Sequence, residues 1–182
     1  MTPEKLRFIY GSPSKAAQEK VLFQLDHHCK EFIKNSPFLV LGTSNSETIE
    51  LSPKGDKRGF VYIKDNSTLI LPDRSGNNRI DGLLNILKNP NVSLIFFIPS
   101  VPETLRIRGV ATISDNTTLC KNFTLNANQP KTITTIRINR VFFHCGAALV
   151  RSELWNENNW HKKRPIPNLK DIIVDQARLK KN

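Results

Sequence analysis

The sharpest chemical feature of this chain is a polar loop, Pro72-Asp73-Arg74-Ser75-Gly76-Asn77-Asn78-Arg79. It runs into Ile80, Leu83, Leu84 and Leu87, apolar residues at i, i+3, i+4 and i+7, the spacing of a helix. A helix N-terminus presents unpaired N–H groups and a partial positive charge, so it accepts phosphate. Gly76 would let the backbone approach a ligand closely. Arg74 and Arg79 offer planar, bidentate donors. Asn77 and Asn78 add amides, and either is expected to cap the helix. The loop is neither a Walker loop nor a G-x-G-x-x-G turn, and the chain contains no such motif. The same residues also make an ordinary capped loop with two solvated arginines, the commoner fate of surface arginine.

Two other stretches carry cations in suggestive places. Along Thr104–Ile113, Leu105 and Ile107 alternate with Arg106 and Arg108. That predicts a strand with two arginines on one face, turned either to a basic cleft or to solvent. Ser52-Pro53-Lys54-Gly55-Asp56 sets a lysine among turn-forming residues. His27-His28-Cys29 and His144-Cys145 predict no metal site, because neighbours diverge on a helix and alternate on a strand. No G-x-S-x-G or H-E-x-x-H motif is present, and no side chain stands out as a catalytic acid or base. Trp155 and Trp160 flank a polar segment and suit packing at an interface.

The elements that would position these groups follow from periodicity. Val21, Leu25, Cys29 and Phe32 predict a helix over about 15–34, which Asn35-Ser36-Pro37 stops. Phe38–Ser44, Ile49–Leu51, Phe60–Ile63, Thr68–Leu71, Val92–Ile98, Thr104–Ile113 and Thr132–His144 read as strands, with Asp65-Asn66-Ser67 as a hairpin turn. Asn89-Pro90 ends the helix that starts at Ile80. Gly146–Trp155 is a short helix candidate, and an amphipathic stretch Asp171–Lys181 ends a C-terminal tail over about 162–182. Many strands with few helices, not alternating with them, predict a mainly β, antiparallel barrel with peripheral helices in a single domain over 1–182.

Composition narrows the function classes. The chain has 182 residues, 27 Lys and Arg against 16 Asp and Glu, a net charge of +11 and a pI near 9.8. Such a balance raises nucleic acid, an anionic cofactor or an anionic membrane as partners. Residues 1–50 are neutral, so the excess begins with the Ser52–Asp56 stretch, and the densest basic run, Lys162-Lys163-Arg164, is short. A nucleic-acid arm concentrates charge in longer blocks, so nucleic acid is the weaker expectation. No apolar run approaches the ~20 residues of a membrane helix, and the N-terminus has no secretory h-region. Three cysteines without a C-x-x-C pair fit a reducing cytoplasm.

Taken together, the segments resemble a family. Ser52–Phe60 (S-P-K-G-D-x-x-G-F), Leu71–Asp81 (L-P-D-R-x-G-N-x-R-x-D), Glu103–Gly109 (E-T-L-R-x-x-G) and His144–Trp155 (H-C-x-x-A-x-x-R-S-x-L-W) are similar to motifs of FMN-dependent flavoproteins related to pyridoxamine 5′-phosphate oxidase. The resemblance spans about residues 17–176. It implies a six-stranded FMN-binding split barrel that forms a homodimer, with FMN at the subunit interface. It places Asp73 and Asn77-Asn78-Arg79 at the phosphate, Asn78 and Arg79 standing where the wider class has Arg and Lys. Arg74 joins them there. It places Thr104 near where the class has Gln, and for a flat ring beside the phosphate the stretch Ser52, Pro53 and Lys54 is expected to approach the ring edge. Arg106 and Trp155, the latter from either subunit, complete the expected cofactor set. The implied activity is that of an FMN-dependent oxidoreductase of unspecified substrate. The oxidase's own C-terminal substrate signature is missing. A non-catalytic flavin, deazaflavin or haem binder on the same barrel is the alternative, and a nucleic-acid-binding β-barrel is a more distant one.

Overall fold

The computed structural model describes residues 1–74 and 76–179. Helices α1 (Pro3–Tyr10), α2 (Lys15–Glu19) and α3 (His27–Asn35) precede strands β1 (Phe38–Ser44), β2 (Ile49–Gly55), β3 (Tyr62–Asp65) and β4 (Thr68–Pro72). Helix α4 (Asp81–Lys88) leads to β5 (Asn91–Phe97) and β6 (Thr104–Ser114), then α5 (Thr117–Lys121) and β7 (Ile133–His144). Helix α6 (Ala147–Arg151), a 3-10 turn at Glu157–Asn159 and α7 (Leu169–Leu179) follow. All seven strands form one antiparallel sheet in the order β2-β1-β5-β6-β7-β4-β3. This is the expected mainly β split barrel, with one strand more than the six that the resemblance implies. Among the described residues, no helix is long and apolar enough to cross a membrane.

Alternation builds the core. Along β6, Leu105, Ile107 and Ala111 point inward while Arg106, Arg108 and Val110 point out. Phe96, Leu94, Leu39, Ile136 and Val141 fill the same interior at no more than 1% exposure. Each such side chain contributes about 1.5–3 kcal/mol by leaving water. The β6–β7 pairing slips once, from Arg108↔Arg140 to Gly109↔Ile138, so Asn139 is the extra residue of a bulge.

The chain folds into two helices where one was expected over 15–34. Leu22 exchanges both backbone hydrogen bonds with Val141, at 2.9 and 2.8 Å, which pins the intervening segment to β7. Asp26 then starts α3 afresh by accepting from the Cys29 N–H at 2.8 Å. That hydrogen bond holds the Asp26 carboxyl below its ordinary pKa. Asp26→Ala should therefore cost about 1 kcal/mol in a urea melt at neutral pH. The sign follows from the lowered folded pKa: the stabilisation is present above about pH 4, the unfolded value, and disappears as pH falls through the folded one. The difference between wild type and variant should shrink on acidification.

Helix α4 also departs from its pattern. Of the apolar residues at helical spacing, Ile80, Leu84 and Leu87 are 47%, 48% and 72% exposed, and Asn85 and Ile86 are the buried ones. Asn85 is drawn inward because its side-chain oxygen accepts from the Asn45 amide and, at 3.4 Å, from the Thr48 hydroxyl. Helices α1, started by the Thr2 cap and Pro3, and α5, started by the Asn116 cap between β6 and β7, were not expected. Helix α7 begins two residues before the expected Asp171, and Lys180 and Lys181 lie outside the described residues.

Candidate functional site

β2 ends the sheet on one side, so half of its backbone N–H and C=O groups have no strand partner. On the other side β3 pairs with β4 only as far as Ile70, leaving Leu71 and Pro72 projecting past it. The gap between β2 and the end of β4, roofed by the loop into α4, is a cleft of about 820 Å³. Its floor is apolar, from Leu41, Phe60 and Leu71, and its rim carries Glu50, Lys54, Asp73, Arg74, Arg79, Asp81 and Lys131. Two ion pairs clasp the gap: Lys54 Nζ to Asp73 Oδ1 at 3.1 Å and Arg74 Nε to Asp56 Oδ2 at 3.2 Å. All four side chains are at most 30% exposed, so water screens these pairs less than a fully exposed one.

Between Gly76 and Ile80 the loop is shaped by its asparagines, though neither caps the helix. Asn77 Oδ1 accepts from the Arg79 N–H at 3.0 Å, a local Asx turn. Asn78 adopts φ 59°, a left-handed conformation that asparagine tolerates better than most residues. Its Oδ1 accepts from Lys131 Nζ at 3.2 Å. The N-cap position falls to Ile80, which makes no side-chain cap bond. Close packing lets α4 sit on the strands: a Cβ at Gly82 would lie 3.2 Å from Ser52 Oγ and 3.4 Å from Thr43 Oγ1.

The structure brings together Ser52, Pro53, Lys54, Asp73, Arg74, Asn77, Asn78 and Arg79, all of which line this one cleft. Arg74 is less available than expected, because its Nη1 also donates to the Phe123 carbonyl at 2.9 Å. Arg79 turns to Asp81 at 2.5 Å and is 75% exposed. Thr104, Arg106 and Trp155 do not line the cleft. On the β2 side the register runs from Lys54 through Leu39 and Phe96 to Leu105, so Thr104 and Arg106 are separated from the Lys54 edge by β1 and β5. On the β4 side Pro72 pairs with Ile133 and Ile133 with Ser114, ten residues along β6 from Thr104. The Trp155 indole N–H donates to the Val101 carbonyl at 3.2 Å. Sequence reasoning missed Lys131 and Gly82, which lie outside the expected loop.

Among the described residues, no histidine, cysteine or methionine lines the cleft. Burial pushes the Cys29 thiol up to about 12, which leaves it inert. Desolvation first, then Arg106 and Lys20, lower the His144 pKa.

The model of the pyridoxamine 5′-phosphate oxidase family matches residues 25–145, more than half of the chain. The chain belongs to this family. The match takes in β1 to β7 and both sides of the cleft, and leaves α6, α7 and Trp155 outside it. Solved structures agree on the fold. HupZ of Group A Streptococcus superposes with a TM-score of 0.53 at 22% identity, over 65% of this chain and 93% of that one. A candidate pyridoxamine 5′-phosphate oxidase from Lactobacillus delbrueckii gives 0.52 at 18% identity, over 66% and 99%. A Clostridium acetobutylicum protein related to general stress protein 26 gives 0.50 at 11% identity, over 65% and 86%. No curated protein sequence matches the chain.

Proposed function

We propose that the chain is an FMN-dependent oxidoreductase that works as a homodimer in the cytoplasm, with the flavin in the cleft between β2, β4 and α4. The observation that carries this reading is the cleft itself. It lies in the usual size range for cofactor sites, and it joins an apolar floor to a rim of basic and amide groups. A flat apolar ring bearing a phosphate needs that combination.

When bound, FMN supplies two-electron hydride chemistry. The chain's residues do the rest. Leu41, Phe60 and Leu71 exclude water from the ring. The Asn45 N–H donates to the Thr48 carbonyl and the Asp56 N–H to the Pro37 carbonyl, so the register turns the Ser52 and Lys54 backbone groups toward β1. These two residues would meet the ring's polar edge by their side chains, and the free edge offers the Pro53 carbonyl. Asn77, Asn78 and Arg79 take the phosphate end. Arg74 holds the loop through Asp56 and Phe123. Asp73 holds Lys54 within reach of the ring.

Dimerisation is supported by apolar groups at the rim. Ile49 and Leu51 of β2 are 78% and 69% exposed, beside the exposed Ile80, Leu84 and Leu87 of α4. Of these Leu51 and Ile80 line the cleft, and exposed apolar groups gathered on neighbouring elements are a common mark of an interface. In such a dimer Thr104, Arg106 and Trp155 meet a cofactor only from the second copy.

The purified protein is expected to be yellow, with an oxidised-flavin absorbance spectrum and FMN released by heat at about one per chain. A colourless protein that does not take up added FMN would overturn the reading. A second reading, flavin held without turnover, has its own support: Asp73 and Asp81 are tied to Lys54 and Arg79, so Glu50 is the lining carboxylate outside an ion pair among the described residues. Flavin that remains oxidised with NAD(P)H and fails to turn over substrate would favour it. Haem is less well served, because the cleft lacks the usual axial ligands. A Soret band would reverse that.

A further inference from the structure

Four basic side chains line the cleft, and three of them are already matched with carboxylates: Lys54 with Asp73, Arg74 with Asp56 and Arg79 with Asp81. The fourth is Lys131. Among the described residues no Asp or Glu oxygen lies within 4.0 Å of its Nζ, and its one hydrogen bond is to the neutral Asn78 side chain. It therefore brings a full positive charge into the cleft that the protein itself does not neutralise.

Its placement is also built. The Asp73 N–H donates to the Thr132 carbonyl at 2.9 Å, stitching the turn before β7 to the cleft loop. Pro130, on the other side, is buried, and the Lys131 carbonyl accepts weakly from Cys120 Sγ at 3.8 Å. The backbone is thus held on both sides while the side chain extends to Asn78. A lysine ammonium has three donors, and Asn78 takes one, leaving two for an anion. Asn78 is itself set by its left-handed backbone, so amide and ammonium form one preorganised pair.

We propose that Lys131, steered by Asn78, is the principal cation holding the phosphate of the ligand in this cleft. The identity of that ligand as FMN rests on the function proposed above, but the placement of an anion against Lys131 does not. The flavin family motifs do not include this residue, which lies in the turn between α5 and β7.

The test compares FMN with riboflavin, which carries the same ring without the phosphate. Fluorescence titration of the full chain should show Lys131→Met weakening FMN by tenfold or more while riboflavin changes less than twofold. Lys131→Arg should keep most of the FMN affinity. Unchanged FMN affinity in Lys131→Met would overturn the proposal, and so would equal losses for both ligands, which would mark a structural role. If the wild type binds neither flavin, the function reading fails on its own, and inorganic pyrophosphate followed by calorimetry then decides. Pyrophosphate binding lost in Lys131→Met would sustain the anion site. Equal binding by both proteins, or none by the wild type, would overturn it.

Discussion

Gly109→Ala is expected to lower the stability of the fold by about 3 kcal/mol or more, the largest effect of any single methyl group in this chain's sheet. The reason lies at the bulge between β6 and β7. A Cβ at position 109 would stand 2.3 Å from the Arg137 carbonyl oxygen and 2.9 Å from Ile136 Cγ2. Neither neighbour can give way: the first is backbone of a paired strand, and Ile136 is fully buried. For a chain of this size the midpoint of thermal unfolding should fall by roughly 6–12 °C. Gly42→Ala is the control. There a Cβ meets Ser93 O at 3.4 Å and Leu51 Cδ2 at 3.5 Å, ordinary contact distances, so a shift of less than about 1 kcal/mol is expected. Equal melting curves for the two variants would show that the strands at the bulge can separate, contrary to the packing described.

The bulge also shows where the sequence could be read and where it could not. Alternation over Thr104–Ile113 places Arg106 and Arg108 outside and Leu105 and Ile107 inside, as they are found. It does so because period-two burial is a local property of one strand. The slip at Gly109 is a property of two strands, and nothing in either alone announces it. The same distinction separates the parts of the site. Loop 73–79 was legible, because Gly, Asn and Arg lie together before an apolar period. Lys131 was not, because it meets Asn78 from 53 positions away along the chain. Helix α4 illustrates a third case, in which its apolar stripe was visible but its direction was not. The Asn45–Asn85 contact turns a polar residue inward and leaves Ile80, Leu84 and Leu87 outside. A stripe on a helix marks a face that is covered by something, and it does not say whether the cover is the chain's own core. Beside this cleft, a second copy is the cover proposed here.

Helix α4 also sets the depth of the cleft, and the second large effect is expected there. Gly82→Leu should lower FMN affinity by roughly 10–100-fold while the chain stays folded. Gly82 is in the first turn of α4, lines the cleft, and leaves just enough room for the Ser52 and Thr43 hydroxyls. Leucine there gains helix propensity, which opposes any loss of fold stability, by up to about 1 kcal/mol. The same side chain must displace Ser52 or occupy the space beside it, an overpacking of about 1–3 kcal/mol that falls on the binding site. At about 1.4 kcal/mol per factor of ten, that is the stated range. Gly82→Ala should give a smaller loss in the same direction, since at 3.2 Å the Ser52 hydroxyl needs to move only a little. Lys88→Ala, at the far end of the same helix and outside the cleft lining, should leave the affinity unchanged. A graded loss from glycine to alanine to leucine, with near-wild-type melting temperatures throughout, would tie flavin binding to the space between α4 and β2. Wild-type affinity in Gly82→Leu would place the flavin elsewhere on the barrel.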